Sequence, residues 1–396
     1  MEDSFSTYID RKNSNSVKWD KVSDIFGSKG LLPMWVADSD WPTAPAVIDA
    51  IKARTEHGAF GYSFPDEKLK QVIVNWLKKH YDWKIKKEWI VFSNGVVPSL
   101  NIAVQSLTNN GDEVIIQPPV YYPFKSAVQN NGAVVINNQL INDSGKYKFD
   151  FENLKNTLKD SSKELSRAKL LILCSPHNPV GRVWSQKELE ELGEICLENN
   201  IKILSDEIHA DFVYGDNKHT PIASLNEDLA QNTLTFMAPS KSFNIAGLNS
   251  SFVIIKNESL RKEFHVNKSG LVGTGNIFGL EAMKAAYQKG EKWLSEQLSY
   301  LDQNMDYAVN YINNKIPGIS TKKPEGTYLL WLDCRKLDMT DRELQEFFIK
   351  KAELALDPGE WFGKGGSRFM RMNLACPRST VKKGLEKLEK AVRGGK

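Results

Sequence analysis

The sequence predicts an α/β protein built on a mixed, mostly parallel sheet with helices on both faces. Three observations carry that expectation. From about residue 89 strand-like and helix-like segments alternate, the strand-like runs are almost continuously apolar, and the segments between them have helical periodicity. A strand that is apolar on both sides of its pleat has a covered surface on each face, which is what flanking helices provide.

The elements follow in order. WIVFSN (89–94) reads as a strand and GVVPSLNIAVQSLT (95–108) as the helix after it, and EVIIQPP (113–119) with YYPFKSAVQNNG (121–132) repeats the pair. KLLILCSP (169–176) is a β-rich apolar run. The next helix, 185–200, is argued locally: Ser185 and Glu188 have capping-box spacing, and Leu189, Leu192, Ile195 and Cys196 recur on one face. IKILSDEI (201–208) and LTFMAPSK (234–241) are further strands. Past about residue 279 the pattern changes to one long helical stretch reaching residue 316, then TYLLWLD (327–333) and a final helix near 379–393. A chain of 396 residues exceeds the roughly 250 to 300 residues at which single cores stop growing. We therefore expect a large domain over 49–285 and a smaller α+β domain made of 1–48 with 286–396.

Composition excludes several function classes. The chain is 41% hydrophobic and 26% charged with a net charge of +3, too small and dispersed to favour a nucleic acid or another polyanion. The N-terminal MEDSFSTYIDRKNSNSVKWD has no basic segment followed by an apolar run, and no stretch approaches the roughly 18 apolar residues of a membrane helix. Cys174, Cys196, Cys334 and Cys376 form no C-x-x-C pair and the histidines lack metal-ligand spacing. These features suggest free thiols in a cytoplasmic protein, no metal site and no membrane. The scattered tryptophans, Trp35, Trp41, Trp76 and Trp83 among them, read as packing residues, and Gly273 to Gly279 has the wrong spacing for a dinucleotide loop.

Open parallel sheets bind ligands at the carboxyl ends of their strands. SPHNPVGR puts Asn178 there, SDEIHADF puts Asp206 there, and APSKSFNIAGL puts Lys241 there. Each has an ordinary reading: an Asn-Pro turn, a cap, a lysine whose stem snorkels from a strand end. Their joint occurrence suits something else. An amine held near a carboxylate, in a polar pocket above an apolar sheet, fits a covalently bound aldehyde cofactor with a cationic ring nitrogen, because burial and a nearby cation both favour the neutral amine such a bond needs.

The ordered set GVV (95–97), PPVYYPF (118–124), SPHNPVGR (175–182), SDEIHADFVY (205–214), APSKSFNIAGL (238–248) and FMRMNLACPR (369–378) resembles the fold type I pyridoxal-phosphate enzymes of the aminotransferase class I/II superfamily. MWVADSDWP, SDEIH and SKSFNIAGL look more narrowly like the MalY/PatB group of cystathionine β-lyase-like, cysteine-S-conjugate β-lyases.

The resemblance covers nearly the whole chain, and its implications are specific by residue. Lys241 matches the lysine that bonds to pyridoxal 5'-phosphate and then serves as base. Asp206 matches the carboxylate on the pyridine nitrogen, Asn178 the donor to the ring oxygen, and Tyr121 the aromatic residue stacked on the ring and counted with Lys241 as catalytic. Gly95, Val96 and Val97 match the helix start that holds the phosphate, with Ser240 a hydroxyl neighbour. Tyr62 matches a tyrosine reaching the phosphate of the neighbouring subunit, which implies a homodimer. His209 stands where many aminotransferases have a tyrosine and joins the cofactor-binding set, with orientation of Asp206 as a task. Arg371 matches the guanidinium that grips the substrate α-carboxylate, while Arg378 reads as structural. The loop Ala37-Asp38-Ser39-Asp40-Trp41 departs from the group's usual ADMDF and is expected to line the substrate side.

The resemblance implies β-elimination from a cysteine S-conjugate, giving a thiol, pyruvate and ammonia. Cystathionine, cystine, an S-alkyl cysteine and a cysteine-containing dipeptide are all open as substrates. An aminotransferase uses the same parts, and composition and periodicity do not separate the two. A non-catalytic, cofactor-binding regulator is a third reading, against which the intact lysine, aspartate and arginine weigh.

Overall fold

The structure, a computed structural model, describes residues 3–159 and 168–394. Its centre is a seven-stranded sheet of β1 (Ile90–Ser93), β2 (Glu113–Ile116), β3 (Val134–Asn137), β4 (Ala168–Cys174), β5 (Lys202–Asp206), β6 (Thr233–Met237) and β7 (Ser251–Ile255), in the order β1-β7-β6-β5-β4-β2-β3. All run parallel except β7, which is antiparallel to both β1 and β6. The α/β class and the mixed, mostly parallel sheet agree with the sequence reading.

The apolar strands are explained by the two faces they cover. Leu170, Ile172 and Cys174 of β4 join a cluster with Leu100 and Val104 of helix Val96–Leu107 and with Phe264 of helix Glu258–Lys268. The alternate residues Leu171 and Leu173 join Leu189, Leu192 and Ile195 of helix Gln186–Glu198 on the other face. That helix starts with the anticipated capping box of Ser185 and Glu188.

A second sheet, β8 (Leu329–Asp333), β9 (Asp357–Pro358) and β10 (Phe369–Asn373), is antiparallel with β10 in the middle. Helices Glu291–Lys315 and Arg378–Arg393 pack beside it through Leu301, Met305, Ala308, Val381, Leu385 and Leu388. The N-terminal segment joins this part by a short parallel pairing of Leu32–Pro33 with Leu354–Ala355.

One expectation is corrected. The helical stretch expected from 279 to 316 is two helices, Ile277–Lys289 and Glu291–Lys315, separated at Gly290. A Cβ there would lie 2.3 Å from Cε1 of Phe243 and 2.5 Å from the Ala286 carbonyl oxygen, so close packing, not solvent, demands the glycine. Strands β3, β7, β9 and β10 have no counterpart in the sequence reading, and β7 lies inside the main sheet. Its sequence, SFVII, is short and apolar, and its pairing partners β1 and β6 lie far from each other in the chain.

Candidate active site

The carboxyl ends of β1, β2, β4, β5 and β6 point the same way, and the loops leaving them meet. Cys174 at the end of β4 is in register with Asp206 at the end of β5, and Asp206 with Phe236 of β6. The loops leaving these ends bring Asn178, Asp206, His209, Ser240 and Lys241 to one cavity of about 300 Å³, a size suited to a small ligand. Gly95, Val96 and Val97 enter from after β1 and Tyr121 from after β2. Arg371 of β10 and Ala37 of the N-terminal loop close the opposite wall.

Lys241 donates from Nζ to the carbonyl of Ala37 at 2.7 Å. Burial, opposed by Asp38 and Asp206 and aided by Arg371, brings its pKa down to about 8. Asp206 is 4% exposed, and burial raises its carboxyl to about 7 although the Ile208 amide and Lys241 pull it down. Its Oδ1 accepts from Ile208 N at 3.1 Å, and no cation pairs with it among the described residues. His209 is buried and neutral: burial, then the charges of Lys241 and Arg371, push its pKa well below the ordinary value. It packs edge-on against Tyr328, and the structure describes no hydrogen bond from it to Asp206. Its Nδ1 is buried without a partner.

Arg371 is fixed on several sides. Nη1 donates to Asn178 Oδ1 at 2.9 Å, Nη2 to the Trp35 carbonyl at 3.0 Å and also to Asp357, while the guanidinium lies 4.9 Å from the centre of the Phe362 ring. Its Nε is buried with no partner. Asp357 and Arg371 stand opposite each other in the β9–β10 pairing. The sequence reading missed Asp357, because nothing in ALDPGE announces a partner that only sheet register supplies. Tyr122 also lines the cavity without having been singled out, and so does Trp35, which the sequence reads as a packing residue.

Behind the cavity a second polar layer holds the chemistry-bearing turns. Asp211 accepts from both Tyr81 and Ser242, the residue after Lys241. Glu207, beside Asp206, accepts from Ser205 Oγ at 2.8 Å and is 2.8 Å from His219 Nε2.

The substrate-side loop is corrected in part. Ala37 lines the cavity, and its carbonyl also accepts from Tyr328 at 2.8 Å. Asp40 turns away to pair with Lys18 at 2.7 Å and Arg11 at 2.8 Å, and Trp41 packs edge-on against Phe5 and Tyr300. Ser39 is buried, its main chain bonded to Asn244. None of these three side chains lines the cavity: ion pairs hold Asp40, aromatic packing holds Trp41, and main-chain bonds to Asn244 fix Ser39. Tyr62 lies outside the cavity, fully exposed on the single chain. Arg378 starts the last helix, is bonded through Nε to Asn304 at 2.6 Å and does not line the cavity.

The cavity accepts a pyridoxal-type group on its own features. Asp206 is a buried carboxylate awaiting a cation, Lys241 is an amine already biased toward neutrality, and helix Val96–Leu107 begins without a side-chain cap at Gly95, so its first amides are available to an anion. Among the described residues no cluster of His, Cys, Asp and Glu can hold a metal ion, and no helix is long and apolar enough to cross a membrane.

Comparison with known proteins agrees with this chemistry. The family described as aminotransferase class I and II matches residues 36–388. The chain is 43% identical to cystathionine beta-lyase PatB of Bacillus subtilis (strain 168), over 98% of this chain and 99% of that protein. It superposes on cystalysin of Treponema denticola, a structure containing pyridoxal 5'-phosphate, with a TM-score of 0.95 at 38% identity, covering 99% of each chain. The pyridoxal-phosphate-bound C-S lyase of Staphylococcus hominis gives a TM-score of 0.90 at 35% identity, over 98% of this chain and 97% of the other.

Proposed function

The chain belongs to the aminotransferase class I and II family, and from that premise we propose that it cleaves the carbon–sulfur bond of cysteine S-conjugates such as L-cystathionine. It is a carbon–sulfur β-lyase of the cystathionine β-lyase type, its cofactor is pyridoxal 5'-phosphate, and its products are a thiol, pyruvate and ammonia. The observation that carries this reading is the meeting of Lys241, Asp206, Asn178 and Arg371 in one cavity of a chain so similar to named lyases.

We assign the residues as follows. Lys241 would hold the cofactor's aldehyde carbon, Asp206 its ring nitrogen, Asn178 its ring oxygen and Tyr121 its ring face. The amides of Gly95, Val96 and Val97 with the Ser240 hydroxyl would hold its phosphate, and His209 flanks it. When bound, the cofactor supplies an electron-poor ring that delocalises the electron pair left at the substrate α-carbon. A charge pair at Asp206 keeps that ring cationic; at intermediate dielectric such a pair is worth about 4 kcal/mol.

Arg371 takes the substrate α-carboxylate through its fork of donors, with Nε unclaimed by the protein. Asn178, Trp35 and Asp357 keep the guanidinium from turning, which fixes the Cα–H bond in direction. Lys241 Nζ, as a neutral amine, is the base that would remove the Cα proton. Its depressed pKa leaves it neutral for that task at mildly alkaline pH. The Cβ–S bond then breaks with its electron pair going to sulfur, the thiolate takes a proton, and water releases pyruvate and ammonia from the remaining three-carbon unit.

We further propose a homodimer in the cytoplasm, with 49–285 as the cofactor-holding domain and 1–48 with 286–396 as the domain that brings the carboxylate clamp. Phe60, Tyr62 and Phe64 stand exposed on one segment of the single chain, apolar surface that a second copy would cover, with Tyr62 reaching its phosphate site. The four buried free cysteines suit a reducing compartment. The test is product analysis with L-cystathionine: homocysteine and pyruvate in equal amounts support the lyase, whereas a new amino acid formed only when a keto acid is added identifies an aminotransferase.

A further inference from the structure

The charged side chains lining the cavity are Asp206, Lys241, Asp357 and Arg371. In the assigned site the charge of Asp206 faces the ring nitrogen, and Lys241 works as a neutral amine. That leaves Arg371 and Asp357, cross-strand partners whose side chains are 4% and 3% exposed. One positive and one negative charge balance while the site awaits substrate. When the substrate α-carboxylate arrives, one guanidinium faces two carboxylates, and the wall carries one negative charge in excess. A buried charge without a partner is costly, so either the carboxyl of Asp357 takes up a proton or the substrate brings a second cation.

Burial already raises that carboxyl to about 6 against the pull of Arg371, so proton uptake is one route and a cationic group on the substrate the other. Only one oxygen of Asp357 is bonded to Arg371, and Asp357 lines the same cavity as Tyr121 and Tyr122. Tyr122 is exposed on the outer side, which makes this wall the way from the reacting centre toward solvent. A thioether chain that left Cβ toward Tyr122 would run along a lining that includes Asp357.

We propose that Asp357 is a specificity-determining residue that receives an ammonium group on the thiol half of the substrate, so that the site prefers conjugates with an amino acid at both ends, such as cystathionine and cystine, over S-alkyl cysteines. This rests on the assignment of Arg371 to the α-carboxylate.

The test compares L-cystathionine with S-(3-carboxypropyl)-L-cysteine, which differs only in lacking the distal amino group. The parent enzyme is expected to favour cystathionine in kcat/KM by roughly tenfold or more, the order a charge-assisted hydrogen bond provides. Asp357→Asn should remove most of that preference, and Asp357→Glu, which keeps the charge, should retain it. A second readout is free of turnover: in a Lys241→Ala background, calorimetry should show tighter binding of cystathionine than of the analogue, a difference lost when Asp357→Asn is added. Equal losses on both substrates, or a parent that does not distinguish them, overturn the inference while leaving the lyase reading intact. A parent that releases thiol from neither overturns both.

Discussion

The Nζ of Lys241 donates a 2.7 Å hydrogen bond to the carbonyl of Ala37, a residue 204 positions earlier in the chain. The bond ties the turn after β6 to the N-terminal loop and draws an amine into a wall where its charge is disfavoured. Burial lowers that amine from 10.5 to about 8.

That burial has a stability consequence in cofactor-free protein. Below pH 8 the amine is charged in both the folded and unfolded chain, and the desolvation cost is fully present. Between about 8 and 10.5 the unfolded chain binds more protons, so stability rises with pH. Lys241→Met should be more stable than the parent at pH 7 by about 1 to 3 kcal/mol and should lack the alkaline rise, as urea midpoints at pH 7 and pH 10 will report. Tyr328 still serves the Ala37 carbonyl in the variant.

Asp206 has the opposite dependence. Its folded pKa, raised from 3.8 to about 7, means that stability is lost as pH rises through that window, because the folded chain holds the proton longer. Asp206→Asn should abolish this loss in cofactor-free protein. The same substitution should weaken binding of pyridoxal 5'-phosphate by roughly a hundredfold, the order expected when a charge pair is removed from a dry site, measurable by absorbance titration.

Arg371→Lys keeps the charge and removes the fork. The ammonium cannot serve Asn178, Trp35, Asp357 and a substrate carboxylate in one plane. KM for L-cystathionine should rise roughly 10- to 100-fold, in line with the loss of a charged hydrogen bond, with the smaller change in kcat. Steady-state kinetics on the holoenzyme separates the two.

Asp211 supports Lys241 from behind by accepting from Ser242 and Tyr81. Asp211→Ala leaves two buried hydroxyls without a partner and should cost about 1 to 3 kcal/mol. Gly290→Ala tests the same region from the other side. Its new methyl would collide with Phe243, two residues beyond the lysine, and should destabilise by about 1 to 3 kcal/mol. Thermal melts of both variants measure these effects.

Much of the site is legible in the sequence because its residues lie at or just past strand ends. Asn178, Asp206 and Lys241 sit within four residues of apolar runs, and the parallel sheet turns that shared position into proximity. The helix Gln186–Glu198 is legible for a different reason: its cap and its apolar stripe are both local. What the sequence hides is non-local. Asp357 gains meaning only from its register opposite Arg371, and β7 is a strand only because β1 and β6 lie on either side of it. The break at Gly290 depends on a phenylalanine from another part of the chain. Ser39 and Trp41 mislead because a loop has two sides, and the ion pairs of Asp40 and the rings around Trp41 decide which side they take.

The most direct measurement is reductive trapping. Cofactor-free protein is loaded with pyridoxal 5'-phosphate, treated with borohydride, digested and examined by peptide mass spectrometry. The expected result is a single stable pyridoxyl adduct on Lys241, absent in Lys241→Met. An adduct on another lysine, or none at all, contradicts the assignment of this amine and with it the chemistry of the cavity.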